Sequence, residues 1–399
     1  MQKEYSEIVV VGAGPSGTTF SHFLANAKVK HIILDKAMFP REKICGDGLT
    51  VEVMRRIYDM NKDMFKEYTS SPDKFRPSYG YKFYAPNGRK FEYSIPKKDL
   101  KYPPYFVGKR SDLDALLVKY LNKDFSDLRV NTVVTDIVRE NGKNLVYWKT
   151  KGSEGVIECD LVVGGDGERS IVKKKLHPGG NQKIKEFSAG AVRTYFKNVE
   201  GISENGELEL FFLKDLLPGY FWIFPLPNGE CNVGIGMFTP HIMDRKVNLK
   251  KRLLEICQEH PLVKDRFEKA EMLDSVKGMG IPMNGHKTKL FGEGYILLGD
   301  AGTLAEQATA KGIGSGMDCA KYAAEVVIAG IQNGDLSPSQ LKLYHQRVYS
   351  NYEKHWNLLY TIQKMLNYPL IANLLPVALG LTRVNKKFRR DALKWTNLG

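Results

Sequence analysis

Four short runs of uninterrupted apolar residues punctuate this chain, and each stops at a glycine or an aspartate. Ile8-Val9-Val10-Val11 leads into Gly12-Ala13-Gly14-Pro15-Ser16-Gly17, and Ile32-Ile33-Leu34 ends at Asp35. Leu161-Val162-Val163 runs into Gly164-Gly165-Asp166-Gly167, and Tyr295-Ile296-Leu297-Leu298 ends at Gly299-Asp300-Ala301. Continuous apolar runs bounded by turn residues predict parallel strands buried on both faces. Helical patterning is expected over 18–27, over 112–122 with Ser111 as N-cap, over 248–258 and over 313–331. Elsewhere the pattern alternates. Tyr81–Tyr84 and Lys90–Tyr93 flank Asn87-Gly88. Ala191–Phe196, Glu207–Phe212, Tyr220–Pro225 and Cys231–Met237 follow, the last two joined at Asn228-Gly229. A further strand is expected over 130–138, turning at Asn141-Gly142. The fold class is therefore α/β: a Rossmann-like dinucleotide-binding domain with an inserted antiparallel β-sheet and C-terminal helices. The expected division is 1–75, 105–180 and 280–335 for the discontinuous nucleotide domain. The β-rich substrate domain takes 76–104 and 181–279, and a helical region takes 336–399.

The first glycine loop carries chemistry. Gly12 permits the tight turn, Gly14 lets a pyrophosphate approach the backbone, and Gly17 lets the next helix pack on the strand. The free N–H groups at the start of that helix suit a diphosphate. Asp35 lies about 20 residues on, where a carboxylate can accept from a ribose diol. By itself this pattern leaves NAD and FAD both open. Asp166 and Asp300 close further apolar runs. In open α/β sheets the ends of parallel strands form the ligand rim, so both aspartates point to the edge that Gly12–Gly17 occupies.

Composition narrows the picture only a little. With 399 residues, 43% of them hydrophobic, the chain is globular. No run reaches the roughly 18–20 apolar residues of a membrane span, and the first apolar run reads as a short strand, not a signal peptide. Five scattered cysteines without metal-type spacing fit a reducing cytoplasm. The net charge of +14 favours anionic partners, but no nucleic-acid motif accompanies it. An apolar stretch from Leu366 to Leu379, broken by Pro369 and Pro376, precedes the basic residues Lys386, Lys387, Arg389, Arg390 and Lys394. That arrangement suits either peripheral contact with an anionic membrane face or helices closing a cavity beside a solvated tail.

With the Gly12–Gly17, Asp166-Gly167 and Gly299-Asp300 motifs in this order, residues 5–330 resemble the flavoproteins that include aromatic hydroxylases, flavin-dependent halogenases and geranylgeranyl reductases. Two segments select the geranylgeranyl reductase family. Phe39-Pro40-Arg41-Glu42-Lys43-Ile44-Cys45-Gly46-Asp47-Gly48 is similar to its Pro-Arg-x-Lys-x-Cys-Gly-Gly segment. Tyr220-Phe221-Trp222-Ile223-Phe224-Pro225 is similar to its Tyr-x-Trp-x-Phe-Pro strand, which lines a lipid cavity. Tyr220, Trp222 and Phe224 alternate and so share one sheet face. The halogenase Trp-x-Trp-x-Ile-Pro motif is not found.

The resemblance implies FAD. It places Gly12, Gly14, Pro15, Ser16 and Gly17 at the pyrophosphate, Asp35 on the adenosine ribose, and Asp300 at the ribityl chain or diphosphate. Lys36, Arg41, Cys45, Gly46, Arg110, Asp166, Gly312 and Ile313 are further expected cofactor contacts, and Cys45, Tyr220 and Trp222 are the catalytic candidates. The implied activity is reduction of C=C bonds in an isoprenoid lipid or a quinone side chain. A monooxygenase of a hydrophobic or aromatic molecule is the alternative, since one fold serves both. Electrons are expected from NAD(P)H or from a ferredoxin or flavodoxin. The loop after Asp300 departs from the family pattern: Gln307, Ala310 and Lys311 stand where proline, glycine and glutamate are usual. Lys311 is expected either to face the flavin or to point to solvent.

Overall fold

The computed structural model describes residues 2–180, 185–285 and 287–374. Its centre is a six-stranded sheet ordered Phe291–Gly292, Tyr295–Leu297, Leu161–Gly164, Ile8–Val11, His31–Leu34 and Ser126–Arg129. All neighbouring pairs are parallel except the first. Every residue of Ile8–Val11, His31–Leu34 and Leu161–Gly164 is buried, because alternate side chains enter two different cores. Ile8, Val10, Ile33 and Val163 pack toward the helices Pro15–Asn26, Ile313–Gln332 and Pro338–Leu366. Val9, Val11, Ile32, Leu34 and Val162 pack against Ile137, Val146, Trp148 and Ile157 of a four-stranded sheet. A parallel sheet covered on both faces produces the continuous apolar runs of the sequence.

Two local expectations are corrected. The strand expected over 130–138 is split: Ser126–Arg129 joins the parallel sheet, Asn131 turns the chain in a left-handed conformation (φ 52°), and Val133–Glu140 joins the covering sheet. Ser111 is not an N-cap, since the helix begins one residue earlier, at Arg110, after Lys109. Asparagine tolerates positive φ, so an apolar run can contain a turn without a glycine to mark it.

The inserted sheet runs Glu271–Met272, Ser188–Lys197, Glu230–Phe238, Tyr220–Pro225, Leu208–Phe211, Gly80–Tyr84 and Lys90–Ser94. Lys277–Pro282 is also paired to Ser188–Lys197. It is antiparallel except where Leu208–Phe211 meets Gly80–Tyr84 in parallel. Those strands come from two separate excursions out of the parallel-sheet unit, so no hairpin dictates their direction. One face, with Val192, Phe221, Ile223, Val233 and Ile235, packs on Leu253, Ile256 and Cys257 of the helix Leu249–Glu259. The other carries Arg193, Tyr195, Tyr220, Trp222, Phe224 and Asn232. A small sheet of Gly48–Leu49, Tyr105–Val107 and Arg76–Ser78 packs through Tyr105 and Val107 on Leu208 and Tyr81 of the inserted sheet and anchors the segment after Cys45.

The helix Pro338–Leu366 spans roughly 43 Å at 1.5 Å per residue. Its first two thirds, with Leu341, Tyr344, Val348 and Trp356, pack in the core beside the parallel sheet. Its end, with Leu366 and the following Ala372, packs near Phe212, Leu217 and Tyr220 of the inserted sheet. Among the described residues no helix is long and apolar enough to cross a membrane. The basic segment after Leu379 lies outside the described residues.

Candidate active site

The glycine loop is built by close contact. Gly12 has φ 95°, and a Cβ there would sit 2.6 Å from the Gly165 carbonyl oxygen. A Cβ on Gly17 would sit 1.9 Å from the Gly12 carbonyl oxygen, so any side chain would push the helix off the strand. Around Gly14 there is room: an added Cβ meets only Arg41 Nη2, at 3.5 Å. The helix Pro15–Asn26 starts with no side-chain cap, so its N–H groups remain directed at the loop mouth. Ser16 is lodged against a second strand end, its Oγ within 2.5 Å of where a Cβ on Gly299 would lie.

Asp35 lies at the end of its strand and is buried, but it clamps the loop. One carboxylate oxygen accepts from the Ala13 amide and the other from the Ala37 amide, each at 2.8 Å. The next residue, Lys36, is exposed. Asp166 also lies beside the loop, its Cα 2.8 Å from a Cβ built on Gly12. Its side chain turns away: Oδ2 accepts from the Ile171 amide at 2.6 Å and caps the helix Ile171–Leu176, where burial raises the carboxyl above its ordinary range.

A buried charge cluster continues from the loop. Asp114, completely buried, takes two hydrogen bonds from Arg110 at 2.8 Å and an ion pair from Arg41 at 3.1 Å. Arg41 keeps a buried Nε with no partner among the described residues. Arg110, expected to open a helix beside the cofactor, begins the helix Arg110–Lys119, is held by Asp114 and also faces the Cys45 thiol. Asp300 makes no side-chain hydrogen bond within the described residues. Burial raises its carboxyl, and the cations Lys43 and Arg110 oppose that rise. The Lys43 ammonium is itself pushed down by burial. Gly312 stands beside Asp300, its Cβ position 3.4 Å from Oδ1, and begins the helix Ile313–Gln332 without a side-chain cap. Gly12–Gly17, Arg41, Arg110, Cys45, Asp300, Gly312 and Ile313 thus converge on the carboxyl edge of the parallel sheet.

Beyond this rim stands an aromatic wall. Tyr220, Trp222 and Phe224 follow one another at ring spacings of 6.0 and 6.2 Å, on one sheet face as their alternation predicted. Trp222 leans across its neighbour strand where Gly234 leaves room; a Cβ there would meet the indole at 2.3 Å. The turn after Cys45 lies on the wall. Cβ atoms on Gly46 and Gly48 would contact Phe224 at 3.6 and 3.4 Å. The polar ends of the wall are occupied. Tyr220 Oη donates to the Thr309 carbonyl at 2.7 Å, and burial pushes its hydroxyl up to about 12. Trp222 Nε1 donates to Asn232 Oδ1 at 2.9 Å. What remains is an apolar surface beside a half-buried thiol, which burial and Asp47 push up while Arg110 opposes.

The departing loop after Asp300 is also resolved. Ala308 and Ala310 adopt positive φ (60° and 56°), and Gln307 is buried with its Nε2 on the Asn284 carbonyl. Lys311 points inward, its Nζ 5.6 Å from the Tyr81 ring centre. Burial works against its charge, but Glu306 and Glu52 outweigh burial and hold the ammonium above its ordinary range. Sequence reasoning did not single out Asp47, Tyr195 or Asn232. The one available signal was an acid inside the Cys45–Gly48 glycine turn.

These residues fit a dinucleotide flavin. Two uncapped helix starts, the open approach at Gly14 and the unpartnered Arg41 Nε together suit a diphosphate. No group of three or more metal-type side chains occurs among the described residues.

Comparisons with known proteins identify the family and the cofactor. The family described as "FAD binding domain" matches residues 5–353. The digeranylgeranylglycerophospholipid reductase of Methanosarcina acetivorans is 26% identical over 89% of this chain and 81% of its own length. The menaquinone reductase of Mycobacterium tuberculosis is 27% identical over 81% of this chain and 76% of its own. A geranylgeranyl bacteriochlorophyll reductase-like protein from Thermoplasma acidophilum superposes with a TM-score of 0.83 at 21% identity, covering 99% of this chain and 96% of that one. A flavin-dependent brominase superposes with a TM-score of 0.79 at 19% identity, over 98% and 94%. The chain belongs to the FAD binding domain family and is an FAD-dependent oxidoreductase.

Proposed function

We propose that this enzyme reduces C=C bonds in the isoprenoid chain of a lipid or a quinone. The observation that carries the reading is the apolar wall of Tyr220, Trp222 and Phe224 laid against the Cys45–Gly48 turn, at the rim where the glycine loop ends. Its hydroxyl and indole N–H are already bonded to protein, so the wall offers a prenyl chain surface without competing polar groups. The names of the similar reductases support the same substrate class.

In this reading Gly12, Gly14, Pro15, Ser16, Gly17 and Arg41 hold the diphosphate, with Asp300 beside the ribityl chain. Asp35 clamps the loop and keeps lone pairs for a ribose. When bound, reduced flavin supplies hydride. The protein aligns the alkene, excludes water and holds a proton near Cys45. Lys311, beside Tyr81 and Tyr220, favours negative charge at that end of the site. Electrons arrive from NAD(P)H or from an acidic carrier such as ferredoxin or flavodoxin, which the net charge of +14 would attract. Lipid substrates reach the wall from a membrane surface. Leu358, Met365, Tyr368, Leu370 and Leu374 are exposed along the helical segment that packs near Tyr220.

The test is anaerobic incubation of the flavin-reduced enzyme with geranylgeranyl lipids and with a prenylated quinone, followed by mass spectrometry. A gain of two hydrogens on a prenyl chain supports the proposal. No gain on any prenyl substrate removes it, and oxygen incorporation in air assigns the enzyme to monooxygenases instead.

A further inference from the structure

Asp47 is completely buried and has φ 63°, a left-handed conformation that favours glycine and that aspartate tolerates better than most other residues. Its Oδ2 accepts from Tyr195 Oη and from Asn232 Nδ2, both at 2.8 Å. The same Asn232 amide donates to the Cys45 carbonyl at 2.8 Å, and its oxygen accepts from Trp222. Asp47 is thus the hub that ties the Cys45 turn to the aromatic wall. Its other oxygen, Oδ1, is buried with no partner among the described residues. The Cys45 sulfur lies against the Asp47 backbone amide and Arg110.

Among the described residues, the charges around this hub leave Asp47 without an ion-pair partner of its own. On Ser188–Lys197, Arg193 stacks on Tyr195 at 4.1 Å but pairs with Glu42 at 2.7 Å and Asp274 at 3.5 Å. Arg110 is bound to Asp114. Lys109 lies over the Tyr195 ring at 4.8 Å and pairs with Glu230 at 2.6 Å.

We propose that Asp47 is a proton store for this site, a positioning residue that returns a proton to the Cys45 thiol after the thiol has protonated the alkene. The proposal rests on the reductase reading above. Reduced FAD, held by Gly12–Gly17, Arg41 and Asp300, would supply a hydride to one alkene carbon. The Cys45 S–H bond breaks as its proton forms a C–H bond at the other. The Asp47 O–H bond then breaks, its proton passes through an intervening water to the thiolate, and the carboxylate left behind is steadied by Tyr195 and Asn232. Water restores the Asp47 proton before the next turnover. That hydride would carry both electrons of the reduction, and both protein groups end as they began. The direction is downhill: burial raises both groups, the carboxyl only to about 6 and the thiol above its already higher ordinary value.

The test uses the holoenzyme and two variants, Asp47→Asn and Asp47→Gly; glycine suits the left-handed backbone and guards against misfolding. Infrared spectroscopy across pH should show a protonated-carboxyl band in the parent that titrates near pH 6 and is missing in both variants. Prenyl reduction in both should slow roughly 10- to 100-fold, with KM changed by less than about twofold. The parent's fall in rate above about pH 6 should vanish. Adding Asp47→Asn to Cys45→Ala should slow the enzyme no further, because both act in one relay. A parent lacking the band overturns the proposal, as does an Asp47→Asn enzyme with the parent's rate and pH profile. A parent that reduces no prenyl lipid removes the reductase reading and this proposal together. A working parent with an indifferent Asp47→Asn removes the proposal alone.

Discussion

Asp35→Ala separates two roles for one carboxylate. A ribose-binding aspartate matters only when the cofactor is bound. In the structure, however, both Asp35 oxygens already accept backbone amides at 2.8 Å, from Ala13 inside the glycine loop and from Ala37. Removing the carboxylate orphans two N–H groups. Each orphaned buried donor costs about 1–3 kcal/mol, and the Ala37 amide is only part-buried, so the sum is about 2–4 kcal/mol. At roughly 2–4 °C per kcal/mol for a domain of ordinary size, the melting temperature falls by at least about 4 °C. The assay is calorimetry of the flavin-stripped parent and variant, followed by FAD titration. The stripped variant should already melt early, and Asp35→Asn, which keeps one acceptor, should lie between. An unchanged melting temperature without flavin, with weakened FAD binding, would refute the clamp and leave the ribose role alone.

Other outcomes follow from the same geometry. Gly17→Ala places a Cβ 1.9 Å from the Gly12 carbonyl oxygen, so purified protein should carry little FAD by its absorbance spectrum. Trp222→Ala removes a buried indole and should cost about 3–5 kcal/mol in denaturant unfolding, while admitting bulkier prenyl substrates. Lys311→Met tests the buried ammonium through pH. The Glu306 carboxyl is depressed because His355 and Lys311 overcome its burial, so this contribution to stability is present above the ordinary glutamate range and is lost as pH falls through the depressed value. The variant should be less stable than the parent at neutral pH, with the gap closing in acid. Replacing Leu370 and Leu374, 80% and 57% exposed, with glutamate should lower sedimentation with anionic liposomes; equal sedimentation would remove the membrane-surface route.

The sequence revealed what repetition and spacing encode. Uninterrupted apolar runs exposed the parallel strands because both faces of that sheet are covered, and the alternation at Tyr220, Trp222 and Phe224 revealed a shared face. Long-range pairing left no such trace. Nothing local shows that Leu208–Phe211 lies parallel to Gly80–Tyr84, or that an asparagine turn divides the apolar run near Val130. Side-chain direction was equally hidden. Asp35, Asp166 and Arg110 stand near the rim, as expected, yet the first clamps a loop, the second caps a helix and the third is held by Asp114. Lys311 could have pointed either way until Glu306, Glu52 and Tyr81 were seen around it. Asp47 was masked by its setting, since an acid in a glycine turn reads as turn chemistry until its burial is known.

The most direct measurement is a single anaerobic turnover. Enzyme holding reduced FAD is mixed with a geranylgeranyl lipid, and flavin absorbance and lipid mass are followed together. The account predicts flavin reoxidation at the rate at which one prenyl double bond gains two hydrogens. Flavin that stays reduced until oxygen is admitted, with no hydrogen gained by the lipid, would contradict it.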